Sequence, residues 1–188
     1  MKIIDRIKHA IRNYYVLYAD STDLLDKARK SLRPLPEGCN IVRLTLENKN
    51  LYQSKWDVDR ILDFEREVWT VVNNENEIIA WCDGTYKGTT SLFFKVRNCD
   101  FEHMEIIVDE GYRRKGLGVC LLYHEVKNLK FDDVNNKTIG VVIRPDNNPS
   151  LRLHELIGFK ISHRVRFFHM ARKKDGHYRY YNFPHYTI

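Results

Sequence analysis

Residues 108–122, VDEGYRRKGLGVCLL, constrain this chain more than any other stretch. A β-rich run ends there in an acidic turn. Arg113, Arg114 and Lys115 follow, then Gly116 and Gly118 with one residue between them, then an apolar segment of helical spacing to about Lys130. A strand that turns through basic residues into a helix makes an anion site by construction. The first turn of a helix leaves its N–H groups unpaired, and the aligned peptide dipoles add partial positive charge at that end. Glycines with no Cβ let an anion approach the backbone. A diphosphate suits such a site.

The spacing excludes two common phosphate loops. A Walker A loop needs Lys and Ser/Thr after its second glycine, and Leu117 and Gly118 stand there instead. The dinucleotide-binding G-x-G-x-x-G is also absent. What remains is R-x-x-G-x-G over residues 113–118.

Around this loop the pattern is mixed α/β. Ile3, Ile7, Ile11, Tyr14 and Tyr18 recur at helical spacing, which predicts a helix over residues 3–18, packed on the domain rather than lying on a membrane. STDLLDKARKSL predicts a second helix capped by Ser21 or Thr22, ended by RPLPEG. Strands are predicted at residues 40–46, in a hairpin around the polar turn 73–77, at SLFFKV, at 101–108 and at 137–144. DVDRILDFEREVW reads as helix or irregular loop. DNNPSLRLHELIGF predicts a helix with Asn148 as cap, Pro149 at the first helical position and Gly158 past the end. Two last strands flank a turn at Asp175 and Gly176. Period-two geometry puts Glu102, Met104, Ile106 and Val108 on one strand face and Glu105 on the other. The sum is one domain over 1–188, with 1–39 a helical N-terminal extension and 40–188 the core.

The chain has 188 residues and a net charge of +6, which favours an anionic partner such as nucleic acid or a phosphorylated cofactor. No apolar run reaches the roughly 20 residues of a membrane span, and the start lacks a signal-peptide pattern, so a cytoplasmic protein is expected. Cys39, Cys82, Cys99 and Cys120 form no C-x-x-C pair and read as reduced structural thiols. His103, His124, His163, His169, His177 and His185 show no metal spacing and read as surface or satisfied histidines. No metal is expected.

The loop and the later NNPSLRLHELIGF lie in the order and at the distance seen in the acetyl-CoA-dependent N-acetyltransferases of the GNAT superfamily, which this chain resembles over roughly residues 68–170. The specific matches fall within 102–159: IIVDEGYRRKGLG, then Asn147, Ser150, Gly158 and Phe159. The resemblance implies a GNAT-like fold, a central mixed and mostly antiparallel sheet flanked by helices, with an extra N-terminal helical segment in this chain. It implies that Arg113, Arg114, Lys115, Gly116, Leu117 and Gly118 cradle the pyrophosphate of acetyl-CoA. Ile106, Ile107 and Val108 would hold the pantetheine arm by main-chain bonds, and Asn147 and Ser150 would lie beside it. Glu102 stands where histone-acetylating members carry a general-base glutamate. His154 stands where many members have a tyrosine acid, so the acid role would fall to an imidazole.

The function implied is acetyl transfer to a primary amine by direct attack in a ternary complex. A small-molecule acceptor is favoured over a protein amine, with the enzyme a monomer or homodimer and neither nucleic acid nor membrane as partner. Two other classes compete. A GNAT-like module that binds acyl-CoA without turnover would fit the His154 departure. A basic nucleic-acid-binding protein would fit the charge and the aromatic tail, but no recognition motif supports it.

Overall fold

The computed structural model describes residues 11–62, 66–89, 98–174 and 177–187. Eight strands form one sheet in the order β2-β3-β4-β5-β6-β1-β7-β8. They are β1 (Ile11–Asp20), β2 (Asn40–Leu44), β3 (Glu67–Val72), β4 (Ile78–Tyr86), β5 (Phe101–Val108), β6 (Thr138–Ile143), β7 (Lys160–Lys174) and β8 (His177–Thr187). Every neighbouring pair is antiparallel except β5 and β6, which run parallel. The helices are α1 (Ser21–Ser31), α2 (Val58–Leu62), α3 (Leu117–Lys127) and α4 (Asn148–Leu156). The mixed, mostly antiparallel sheet is the expected one. SLFFKV lies outside the described residues. No helix among the described residues is long and apolar enough to cross a membrane.

The N-terminal expectation needs correction. Residues 11–18 are not helical: they belong to β1, which pairs with β6 on one edge and β7 on the other. Residues 3–10 lie outside the described residues. From Tyr14 to Ala19 every residue is apolar, so that stretch satisfies the helical period and the strand period alike. Length and composition decide, and β-branched and aromatic side chains favour a strand with both faces covered. Tyr14 and Val16 pack with Val165 on one face. Leu17 and Ala19 join Leu24, Leu122 and Ile139 on the other. β1 is therefore an interior strand of the core, not part of an appended helical extension.

α1 forms as expected, but its cap is Asp20, whose carboxylate accepts from the Thr22 and Asp23 amides. Ser21 turns inward instead, donating to the Val134 carbonyl and accepting from the Lys137 amide. α3 lies across one sheet face, burying Val119, Leu122, Tyr123 and Val126 against Phe101, Ile139 and α1. Leu117 and Leu121 pack against Val71, Ile79 and Cys82. All four cysteines are free thiols.

Candidate active site

The parallel pairing of β5 with β6 is brief: Phe101, Glu102 and His103 lie opposite Ile139, Gly140 and Val141, and the register ends there. Beyond it the two strands separate. The resulting cavity, of about 750 Å³, is walled by residues of β5 from Glu102 to Val108, the end of β6, Arg113, Gly118 and the first turns of α4. On its other edge β5 stays paired with β4 as far as Val108. The Asp109 amide donates to the Ile79 carbonyl, and the Glu105 amide to the Asp83 carboxylate. Backbone amides alternate sides along a strand. Those of Ile106 and Val108 therefore point into the slot.

A bulge in β5 corrects one expectation. Asp83 faces Glu105 and Gly84 faces His103, so Met104 is an extra residue. Phe101 and His103 then share a face with Ile106. Phe101 packs among Leu122 and Val126 of α3, and Ile106 packs against that cluster. His103 bonds Glu125 of α3. Glu102 is thus out of phase with Ile106 and Val108. It lies on the opposite face, beside Gly140 and Cys99, and is 3% exposed. Burial first, then the Glu102 charge, push the Cys99 thiol up to about 12.

At the far end of the slot, Asp109 accepts from the Gly111 amide and starts a short 3-10 turn. Arg114 (φ 64°) and Gly116 (φ 86°) are left-handed, and Gly116 caps α3 with no side-chain cap bond among the described residues. The first-turn amides of α3 have no partner within the helix. Arg113 is exposed, pairs with Glu110 at 3.3 Å and sends its Nε to the Val108 carbonyl at 3.2 Å. The Lys115 ammonium sits 4.8 Å from the Tyr112 ring centre. Leu117 is buried in the core and offers the site only its backbone. The Ile107 side chain likewise packs away from the slot, against the cluster of Val68 and Trp81. A Cβ on Gly118 would stand 3.0 Å from Leu153, so this glycine also lets α3 and α4 approach closely.

Sequence reasoning missed Arg33, just after α1. Its stem lies over Gly116, and its guanidinium donates to the Arg114 carbonyl at 3.4 Å. Nothing in its spacing marks it; only the fold brings it to the loop.

In the second motif the α4 cap is Asn147, not Asn148. The Asn147 carboxamide accepts from the Ser150 amide at 3.3 Å, and Pro149 sits inside the first turn. Asn147 and Ser150 both line the cavity. His154, one turn further on, is 1% exposed. Its Nδ1 lies 2.7 Å from the Ser150 carbonyl, so Nδ1 carries the proton and Nε2 is a bare acceptor. Burial, then His103, pull its pKa down to about 3. That tautomer does not suit the acid role expected of His154. His103, read from sequence as a satisfied or surface histidine, is buried with Nε2 lacking a partner among the described residues. Among those residues no group of three or more metal-binding side chains gathers.

The sequence model of the acetyltransferase (GNAT) family matches residues 40–159. An N-alpha-acetyltransferase of Saccharolobus solfataricus is 39% identical over 57 residues, which are 30% of this chain and 34% of that protein. The match therefore spans about a third of the relative's length. Among solved structures, a tandem GNAT protein from the clavulanic acid biosynthesis pathway superposes with a TM-score of 0.59 at 12% identity, over 82% of this chain and 51% of that one. A functionally unknown conserved protein from Staphylococcus epidermidis gives 0.55 at 12% identity, over 88% and 66%. A GCN5-related N-acetyltransferase-like protein from Streptococcus suis gives 0.51 at 16% identity, over 87% and 64%. At such identities the structures speak for the fold alone. With the splayed strands, the glycine loop and a family match over most of its length, this chain belongs to the GNAT acetyltransferase family.

Proposed function

We propose that this protein transfers an acetyl group from acetyl-CoA to a primary amine. The observation that carries the reading is the slot between β5 and β6, with two inward amides along it and an uncapped helix N-terminus at its end. The residues present fit the cosubstrate. A diphosphate matches the amides of residues 114–118, flanked by Arg113, Lys115 and Arg33. Pantetheine amides match the outward edge of β5, as an added strand would.

Acetyl-CoA supplies an activated thioester carbonyl. The Ile106 and Val108 amides orient the arm, and the Val108 amide doubles as donor to the carbonyl oxygen as negative charge develops there. An alkylamine, with a pKa near 10, must shed a proton to attack. Glu102, on the cavity floor, is the base we assign to this.

We favour a small-molecule amine as acceptor, since Glu102, Glu105 and Tyr14 line a recess suited to a compact cation. The name of the Saccharolobus relative supports a second reading, the N-terminal amine of a polypeptide. Calorimetric titration with acetyl-CoA, followed by thiol release with small amines and with short peptides, tests both. Binding with release identifies the acceptor class. Binding without release for any amine favours an acyl-CoA-binding module, and no binding removes the reading.

A further inference from the structure

Beneath the slot lies a line of buried polar groups that the reaction just described does not use. Glu125 of α3 is fully buried and holds His103 Nδ1 at 2.7 Å through Oε2. The His103 and His154 rings lie 5.4 Å apart, centre to centre, tilted by 40°. Both line the cavity. Each Nε2 is buried without a hydrogen-bond partner among the described residues.

The proton positions follow from chemistry. A buried carboxylate without a cation is very costly, and among the described residues no Lys or Arg charge bears on Glu125. The titratable groups around the pair are Cys82 and Asp83 on β4, Glu67 on β3, Glu105 on β5 and His154 on α4. None but a histidine can supply a cation. Burial holds the Glu125 carboxyl well above its usual range and brings His103 down to about 4. Both directions favour the neutral pair. The Glu125 hydroxyl then donates to His103 Nδ1, and the His103 proton sits on Nε2. His154, fixed in the other tautomer by the Ser150 carbonyl, carries no proton on Nε2.

Taking the acetyl-transfer reading as given, we propose that His103 is the catalytic acid of this enzyme, with Glu125 a positioning residue that holds its Nε2 proton toward the slot and replaces it once given. When the C–N bond forms and the C–S bond breaks, the electron pair of the C–S bond passes to sulfur. Sulfur takes the Nε2 proton of His103. His103 Nδ1 takes the Glu125 proton, leaving Glu125 ionised and His103 in the opposite tautomer. Glu102 holds the proton lost by the amine. The buried Glu125 carboxylate is short-lived: on product release solvent returns a proton to Nε2 of His103, Nδ1 hands its proton back to Glu125, and Glu102 gives its own to solvent.

Long-range proton–nitrogen NMR of the imidazoles in the free protein at pH 7, assigned with His103→Gln and His154→Gln, reads this directly. The expected result is a proton on Nε2 of His103 and on Nδ1 of His154. A proton on His103 Nδ1, or on both its nitrogens, overturns the proposal. Glu125→Gln can still donate to Nδ1 but has no proton to pass on. It should keep the His103 tautomer, keep acetyl-CoA affinity within about twofold and lower kcat for thiol release by about a hundredfold. Unchanged kcat removes the relay. Should that variant not fold, His103→Gln carries the same expectation for kcat against affinity. Loss of acetyl-CoA binding by the unaltered protein would instead strike the acetyl-transfer reading, which the tautomer measurement does not depend on.

Discussion

A Cβ placed on Gly116 would fall 3.1 Å from the Cβ of Arg33 and 3.2 Å from its Cδ. The glycine that opens α3 is thus roofed by the stem of an arginine from a distant segment, whose guanidinium reaches the loop carbonyl of Arg114. Left-handed backbone at 116 adds a second reason for glycine, since other residues pay strain there.

Arg33→Ala should therefore weaken acetyl-CoA binding by about tenfold, as loss of one charge-assisted phosphate contact does. The loss should shrink with added salt, because the guanidinium is exposed and screened. Calorimetry at low and high ionic strength checks this. Gly116→Glu should remove binding altogether, by bulk against Arg33 and by like charge at the diphosphate. Equal affinity in both variants would mean that the diphosphate sits elsewhere.

What could be read from sequence and what could not separates by range. The loop 113–118, the hairpin around residues 73–77 and the α4 punctuation are local devices, set by glycine, proline and turn chemistry within a few residues. They were legible, apart from shifts of one residue at the caps Asp20 and Asn147. β1 was misread because an apolar run buried on both faces carries no period. The bulge at Met104 was invisible, since it is defined by the partner strand, and it moved Glu102 to the other face. The Arg33 contact with the loop and the Glu125–His103 pair depend on residues far apart in the chain. No spacing rule reaches them.

Glu102→Gln should lower kcat by about a hundredfold and leave the KM for acetyl-CoA nearly unchanged, because in the role proposed for it the side chain meets the amine and not the diphosphate. The deficit should be largest at low pH, where the acceptor amine is most fully protonated. A pH–rate profile of thiol release decides it. A profile parallel to that of the unaltered protein removes Glu102 as base.

Asp83 gives a pH signature of opposite sign to ordinary acid unfolding. It is fully buried, and burial lifts its carboxyl to about 6 even though the Arg66 guanidinium pairs with it. Between the unfolded value near 3.8 and about 6, the folded state holds a proton that the unfolded chain has lost. Stability from this group is therefore present at low pH and falls as pH rises through that window, by about 3 kcal/mol in all. Denaturant unfolding of Asp83→Asn beside the unaltered protein should show the difference between them changing by that order from pH 4 to pH 7. A constant offset would mean that Arg66 keeps Asp83 ionised throughout. Arg66→Ala should cost about 3–5 kcal/mol at pH 7, by leaving the carboxylate buried and unpaired.

His103 and His154 act the other way. Burial is the first cause for each, pulling them down to about 4 and about 3, so both stay neutral in the fold while the unfolded chain takes up protons below about 6.5. The unfolded state binds more protons across that window, so stability is full above it and drains as pH falls from about 6.5 toward 4. His154→Phe removes one of these groups and keeps a ring to pack edge-on against Phe159, now 5.0 Å away. Its melting temperature should fall less steeply on acidification than that of the unaltered protein. It should also leave acetyl-CoA affinity intact, since the loop amides and Arg33 are untouched. A variant with the same acid slope would mean that His154 already protonates in the fold, and that its bond to the Ser150 carbonyl does not fix a neutral ring.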